Sequence, residues 1–307
     1  MRTLSLTAWL SLAFPFLPAL AGEAPIPGRQ VARQIGLPAN PNVVAPRTDA
    51  ERAAERARRA ALSPAELEAE RARNRKQHFD TLREPKPLDP ETRETVSYWL
   101  FLPAGYEENG ADQWPLLLYL HGSGERGSHL QSVLTNGPAK MLNDPEIAKT
   151  WPFITVSPQC PDNAGWSPPQ LAELLDEIQG KYRVDPVRVS VTGLSMGGFA
   201  TWSLLHAYPD RFAAGVPICG GFDPEAAGRL VDVPIWTFHG AKDPNVPVSM
   251  SVDMVDAIRR AGGEKVRLTI YPDEEHVCWP IAYEETPELW EWILEQRAPA
   301  PGSRFKP

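Results

Sequence analysis

The stretch "VRVSVTGLSMGGFATWSLL", residues 187–205, passes from an apolar, β-branched run into Gly193-Leu194-Ser195-Met196-Gly197-Gly198, and then into apolar residues at helical spacing. A strand that turns this sharply into a helix forces its central residue into a strained conformation and lifts that side chain clear of the sheet. Gly193 and Gly197 leave space where a Cβ would collide, and the helix beginning at Met196 puts its free N–H groups beside the serine. The segment therefore predicts a nucleophile elbow with Ser195 as nucleophile.

A serine hydroxyl needs a base to take its proton, and for this motif the partners follow in the chain order Ser, Asp or Glu, His. "PIWTFHGAKDPNVPV" places Asp243 in a loop after one strand-like run, and "VRLTIYPDEEHVCW" places His276 in the loop after the next. Asp243 would fix the tautomer of His276. Asp273, Glu274 and Glu275 lie too close to His276 in sequence to be that acid and read as solvated turn charges. His239 and His121 read as structural, while His78, His129 and His206 have no such setting. The developing oxyanion needs two backbone donors. One is the N–H of Met196, and the other comes from the loop after "LLLYLHG", where Ser123 is the first choice and Gly122 the second.

Strand-like runs at 95–102, 115–122, 152–158, 187–193, 213–220, 234–240 and 266–272 alternate with helix-like segments. One helix starts at the capping box Ser167-Pro168-Pro169-Gln170 and ends at Gly180. Others span Met196 to Tyr208, Val248 to Ala261, and Thr286 to Glu295. Strands that are apolar throughout and separated by helices imply an α/β fold, a mostly parallel central sheet with helices on both faces. "RGSHLQSVLTNGPAKML" and "PQCPDNAGW" are expected to wall the pocket. Trp166 and Trp279 are candidates to stack on a sugar or aromatic group, or else simply pack their loops.

The ordered series "LHGSGERG", "NGPAKML", "SPQCP", "GLSMGGFATW", "PICGG", "FHGAKDPNVPV" and "EEHVCW" resembles the α/β-hydrolase superfamily. Within it, the series is most similar to the exported esterase-like branch grouped with dienelactone hydrolases, carboxylesterases and prolyl-oligopeptidase-like enzymes. The resemblance covers about residues 95–297, with serine where dienelactone hydrolases carry cysteine. It implies an α/β-hydrolase fold and cleavage of small-molecule or carbohydrate esters through an acyl-enzyme, without metal or organic cofactor. Relatives of this fold also cut short peptides, usually with a large extra domain.

The flanks are different in texture. Met1-Arg2, the apolar run Leu4 to Leu20 and Ala19-Leu20-Ala21 read as a signal peptide over 1–21, so the mature protein is expected to be exported, periplasmic or extracellular, with no membrane span. Residues 22–94 are expected to form a proline-rich leader, extended or disordered to about residue 47, followed by two charged helices broken near Ser63. With few large apolar residues (Leu62, Leu67, Phe79, Leu82), this extension is expected to pack on the far side of the sheet or mediate association, and to take no part in chemistry. Residues 95–297 would form the hydrolase domain, and 298–307 a flexible tail. The net charge of −8 argues against a nucleic-acid partner. Three cysteines, Cys160, Cys219 and Cys278, fit no metal-site spacing and read as small buried residues rather than a bridge and a leftover.

Overall fold

The computed structural model describes residues 26–43, 45 and 48–299, with the side chains of residues 68, 71, 72, 75 and 78 left out. The expected signal peptide and the end of the tail lie outside the described residues.

Eight strands form one sheet: β1 (Gln30–Leu37), β2 (Glu94–Phe101), β3 (Trp114–Leu120), β4 (Ile154–Pro158), β5 (Val184–Leu194), β6 (Ala214–Ile218), β7 (Ile235–Gly240) and β8 (Val266–Tyr271), in the order β1-β2-β4-β3-β5-β6-β7-β8. From β4 to β8 every neighbouring pair is parallel, while β2 runs antiparallel to both β1 and β4. The helices are α1 (Asp49–Ala60), α2 (Pro64–Arg83), α3 (Gly137–Met141), α4 (Pro145–Thr150), α5 (Pro168–Lys181), α6 (Met196–Ala207), α7 (Ser249–Arg260), α8 (Trp279–Glu284) and α9 (Glu288–Glu295). No described helix is long and apolar enough to cross a membrane.

Alternation along β3 shows how the core is divided. Leu116, Leu118 and Leu120 join one buried cluster with residues of α5, α6 and α7, whereas Leu117 and Tyr119 join a second with Tyr283 of α8 and Trp292 of α9. Successive side chains of a strand point to opposite faces, so a run with no polar residue serves a sheet covered on both sides. This is the expected α/β architecture.

The expectation for the leader is overturned in part. Gln30–Leu37 is an edge strand in full register with β2, from Gln30 opposite Phe101 to Leu37 opposite Glu94. The break near Ser63 is as expected: Ser63 Oγ accepts from Glu66 N–H and the Glu66 carboxylate accepts from Ser63 N–H at 2.8 Å. Arg58 and Arg59 then clasp Glu70 at 2.7 and 2.9 Å, closing α1 onto α2. At Ser167 only half of the expected box forms. Ser167 caps Gln170 N–H, but the Gln170 side chain donates instead to Pro38 O (2.9 Å) and Glu94 Oε1 (2.5 Å), which ties α5 to the leader. The tail expectation also shifts, because Ala298 is buried and donates to Val187 O at 2.8 Å.

Two buried histidines outside the candidate machinery give the fold an acid-sensitive side. His121 is fully buried, and burial pulls its pKa down to about 4. His206, near the end of α6 and 5.2 Å from the Phe222 ring, is likewise lowered to about 4 by burial and then by nearby Arg229. Between the ordinary value of 6.5 and about 4, the unfolded chain binds protons that the folded one refuses. Stability is therefore full above that window and falls as pH drops through it, by about 1 kcal/mol per pH unit for each imidazole at the steepest. Denaturant melts between pH 7 and pH 4 should show this decline, and His206→Asn should make it shallower. An equal slope in the variant would remove His206 from the account.

Candidate active site

Ser195 sits between β5 and α6 with φ +52°, one of two non-glycine residues with positive φ among the described residues. That region is costly for a side chain and persists only where the surroundings impose it. Here the surroundings are backbone. A Cβ on Gly197 would run into Leu120 O and lie 2.8 Å from His121 O, and one on Gly193 would meet the Gly197 carbonyl carbon at 2.6 Å and Leu120 O at 2.8 Å. The elbow is thus wedged against the end of β3, where only glycines permit the approach. The other strained residue, Cys219 (φ +49°), read in the sequence only as a small buried cysteine, lies just past β6, whose Ile218 O accepts from Ser195 N–H.

The ends of β5, β7 and β8 bring Ser195, Asp243 and His276 together. His276 Nε2 lies 2.9 Å from Ser195 Oγ, and His276 Nδ1 lies 2.7 Å from Asp243 Oδ2. The Asp243 side chain is fully buried and that of His276 is 15% exposed. Asp243 Oδ1 accepts from the N–H groups of Asn245 and Val246, both at 2.8 Å, which fixes the carboxylate so that Oδ2 faces the imidazole. Since a carboxylate only accepts, Nδ1 of His276 carries a proton and Nε2 is left as the acceptor for Ser195 O–H. Lys242 ties this loop to that of His276, through its N–H to Glu274 O and its ammonium to Asp273. Glu274 and Glu275 take no part in the hydrogen-bonded chain.

His239 is structural. Its ring lies 2.9 Å from Val246 O and 2.7 Å from Ser251 Oγ, and burial lowers its pKa, so it stays neutral 3.3 Å from Asp243. His121 holds the loop after β3. Cys160 N–H donates to its Nε2 at 3.0 Å, so the ring proton lies on Nδ1, 2.6 Å from Gly122 O. Gly122 and Ser123 follow β3, and β3 pairs with the strand that ends in the elbow. Met196 opens α6, so its N–H has no acceptor within the helix.

All three cysteines are buried and free. Cys219 Sγ lies 3.0 Å from Cys278 Sγ and donates to His276 O at 3.1 Å. Cys219, Asp243 and His276 offer ligand atoms within 4.8 Å of one another. As a metal site this set is poor. The contact with Cys278, followed by burial, drives the Cys219 pKa far up, and a metal needs the thiolate.

A cavity of about 490 Å³ opens on Ser195. The body contributes Gly165, Trp166, Met196, Phe199 and Ala200 to it, and the N-terminal extension contributes Asn42, Val43, Thr81, Leu82 and Lys86. The extension therefore does not lie away from the site, as its polar composition led one to expect. It packs on α6, with Ser203 Oγ donating to Leu82 O at 2.7 Å and Arg83 pairing with Asp223 at 2.8 Å. The two tryptophans separate in role. Trp166 lines the cavity while its Nε1–H donates to His121 O, whereas Trp279 does not line it and stands edge-on to His276, held by Asn136 Oδ1 at 2.9 Å.

This arrangement is that of an α/β-hydrolase. The family model described as "Putative esterase" matches residues 91–260, more than half of the chain, and the chain belongs to that family; the prolyl oligopeptidase family model matches residues 225–298. Among solved structures, a thermostable esterase is 34% identical, with a TM-score of 0.61 over 68% of this chain and 61% of its own. A ferulic acid esterase structure shares the fold at 20% identity, with a TM-score of 0.52 over 65% of this chain and 92% of its own. The bifunctional acetylxylan esterase/xylanase of Neocallimastix patriciarum is 30% identical over 44% of this chain and 20% of its own length. The chain spans about half or less of the length of the first curated relatives it matches. Neither family model reaches β1, α1 or α2.

Proposed function

We propose that this protein is a serine hydrolase that cleaves carboxylic esters of small molecules or carbohydrates through a Ser195–His276–Asp243 triad. The observation that carries the reading is the hydrogen-bonded chain from Asp243 Oδ2 through His276 to Ser195 Oγ, at 2.7 and 2.9 Å, placed at a strained elbow. In this reading Ser195 Oγ attacks the ester carbonyl carbon as its proton passes to His276 Nε2, and the N–H groups of Met196 and of Ser123 or Gly122 hold the oxyanion. The tetrahedral adduct collapses, the C–O bond to the alcohol breaks, and the departing oxygen takes the proton from His276. Water, deprotonated by the same imidazole, then attacks the acyl carbon, and the acid is released as the bond to Ser195 Oγ breaks and the serine takes the proton back from His276. Membership of the esterase family and the likeness to the thermostable esterase support this assignment. We place the mature protein outside the cytoplasm, on the charge and apolar run of residues 1–21.

The match of residues 225–298 to the prolyl oligopeptidase family, which takes in Asp243 and His276, favours one rival, a peptidase acting on short peptides. Among the described residues, the segment before β2 forms one strand and two helices rather than a large extra domain. Kinetics on p-nitrophenyl acetate beside an N-acylated dipeptide p-nitroanilide decide the matter. The ester reading expects kcat/KM at least a hundredfold higher on the ester, and a preference for the anilide would replace it with the peptidase.

A further inference from the structure

The cavity beside Ser195 is walled on one side by sequence that lies outside both family matches. Resting on the ester-hydrolase reading above, we propose that the N-terminal extension is the enzyme's specificity wall, with Leu82 and Val43 selecting esters whose one arm is an aryl group or an alkyl chain of several carbons.

The wall is held at both of its ends. On the leader side, Asn40 Nδ2 donates to Gly165 O at 2.9 Å, Asn42 Nδ2 donates to Trp166 O at 3.0 Å, and Val43 forms a β-bridge with Ala164. On the helix side, α2 is fixed by the Ser203–Leu82 hydrogen bond, by the Arg83–Asp223 pair and by Phe79 against the Phe222 ring at 6.4 Å. Lys86 Nζ reaches Pro41 O at 3.5 Å and links the two sides. A wall built this way is in place before substrate arrives, so discrimination does not have to be offset against an ordering cost.

The lining chooses the chemistry. Val43 and Leu82 face a space whose other side is Trp166, Met196, Phe199 and Ala200, so the surface offered to substrate is mainly aliphatic and aromatic. Of the polar groups on the extension's side, Asn42 Nδ2 donates to Trp166 O, Thr81 Oγ1 donates to Gln77 O at 3.0 Å, and Lys86 Nζ reaches Pro41 O at 3.5 Å. With those groups engaged, sugar hydroxyls in this space would lose water and find few partners. Size points the same way. A water's share of liquid volume is about 30 Å³, so an acetyl group, at roughly 100 Å³ on that scale, would leave most of the cavity unfilled. A cavity of about 490 Å³ matches a ring system or a chain of several carbons, within the usual range for small-molecule pockets.

The test uses the full chain and two series of esters. One series varies the acyl arm from acetyl to octanoyl on p-nitrophenol, and the other varies the alcohol arm of acetates from ethyl to naphthyl. In the wild type, kcat/KM should rise with size along at least one series. Leu82→Trp should lower the bulky-to-small ratio of kcat/KM in that series at least tenfold, mainly through KM of the bulky ester, as loss of pocket volume does. Val43 is 47% exposed, so Val43→Trp narrows the mouth with little risk to folding and should shift the ratio in the same direction. Ratios within twofold of wild type for both variants, with esters still hydrolysed, would overturn the wall while leaving the esterase reading standing. A wild type that hydrolyses no ester and takes up no fluorophosphonate at Ser195 would overturn both. A wild type that prefers acetylated xylan to every aryl or alkyl ester would overturn the substrate class.

Discussion

Ser195→Ala should lower kcat/KM for ester hydrolysis by roughly four to six orders of magnitude, the scale on which loss of a triad nucleophile acts in serine hydrolases. Among the described residues, the only hydrogen bond removed is that between Oγ and His276 Nε2. Folding should hardly change, because alanine keeps a Cβ at φ +52° and so neither adds nor relieves backbone strain. A fluorophosphonate probe should label the wild type at Ser195 and fail to label the variant. Retained hydrolysis in a carefully purified variant, or labelling at another serine, would remove Ser195 from the chemistry.

Asp243→Asn is the second large effect, and the structure says why an isosteric change should be so damaging. Oδ1 of Asp243 is committed to the N–H groups of Asn245 and Val246 at 2.8 Å each. An asparagine must keep its carbonyl oxygen there, which leaves its NH2 facing His276 Nδ1. The imidazole then has to accept at Nδ1 and carry its proton on Nε2, pointed at Ser195, where it cannot take the serine's proton. The expected loss is roughly 10³- to 10⁴-fold in kcat, with fluorophosphonate labelling slowed in step. A loss of less than tenfold would mean that another group orients His276. The thermal midpoint should move by only a few degrees, since both backbone N–H groups keep their acceptor.

The elbow and its partners were legible because each announces itself locally. Gly193 and Gly197 bracket the serine, and Asp243 and His276 each follow an apolar strand by a few residues. The leader was not legible, and β1 shows why. In "QVARQIGL" Val31, Ile35 and Leu37 share one face, but Arg33 interrupts them and only Ile35 and Leu37 are buried, so the apolar alternation is too weak to mark a strand. What makes it one is a ladder with β2, whose residues lie more than fifty positions away. Edge strands commonly carry polar residues, and sequence alone does not distinguish such a strand from a solvated leader. The reach of the extension to Ser195 is hidden for the same reason. It depends on Ser203 finding the Leu82 carbonyl and Arg83 finding Asp223, pairings that no local pattern announces. The pattern Ser167-Pro168-Pro169-Gln170 predicts a cap closed within its own helix, but the Gln170 side chain donates to the leader's Pro38 carbonyl and to the Glu94 carboxylate.

The register of β1 on β2 also makes the cavity's outer wall a detachable part. Leu37 lies opposite Glu94, so residues 38–93 leave the sheet and return to it at the same rung. Topologically, the two helices are the loop of a single β-hairpin. A hairpin needs only two to five residues to turn, so a short turn from Leu37 to Glu94 could replace the whole excursion while all eight strands kept their partners. A truncation beginning at Glu84 would be a different operation, since it would also strip β1 from the sheet edge. The chain thus separates two jobs that share one pocket. In the proposed reading, Ser195 and His276 follow the parallel strands β5 and β8, while the surface that meets the rest of the substrate belongs to an insertion between β1 and β2.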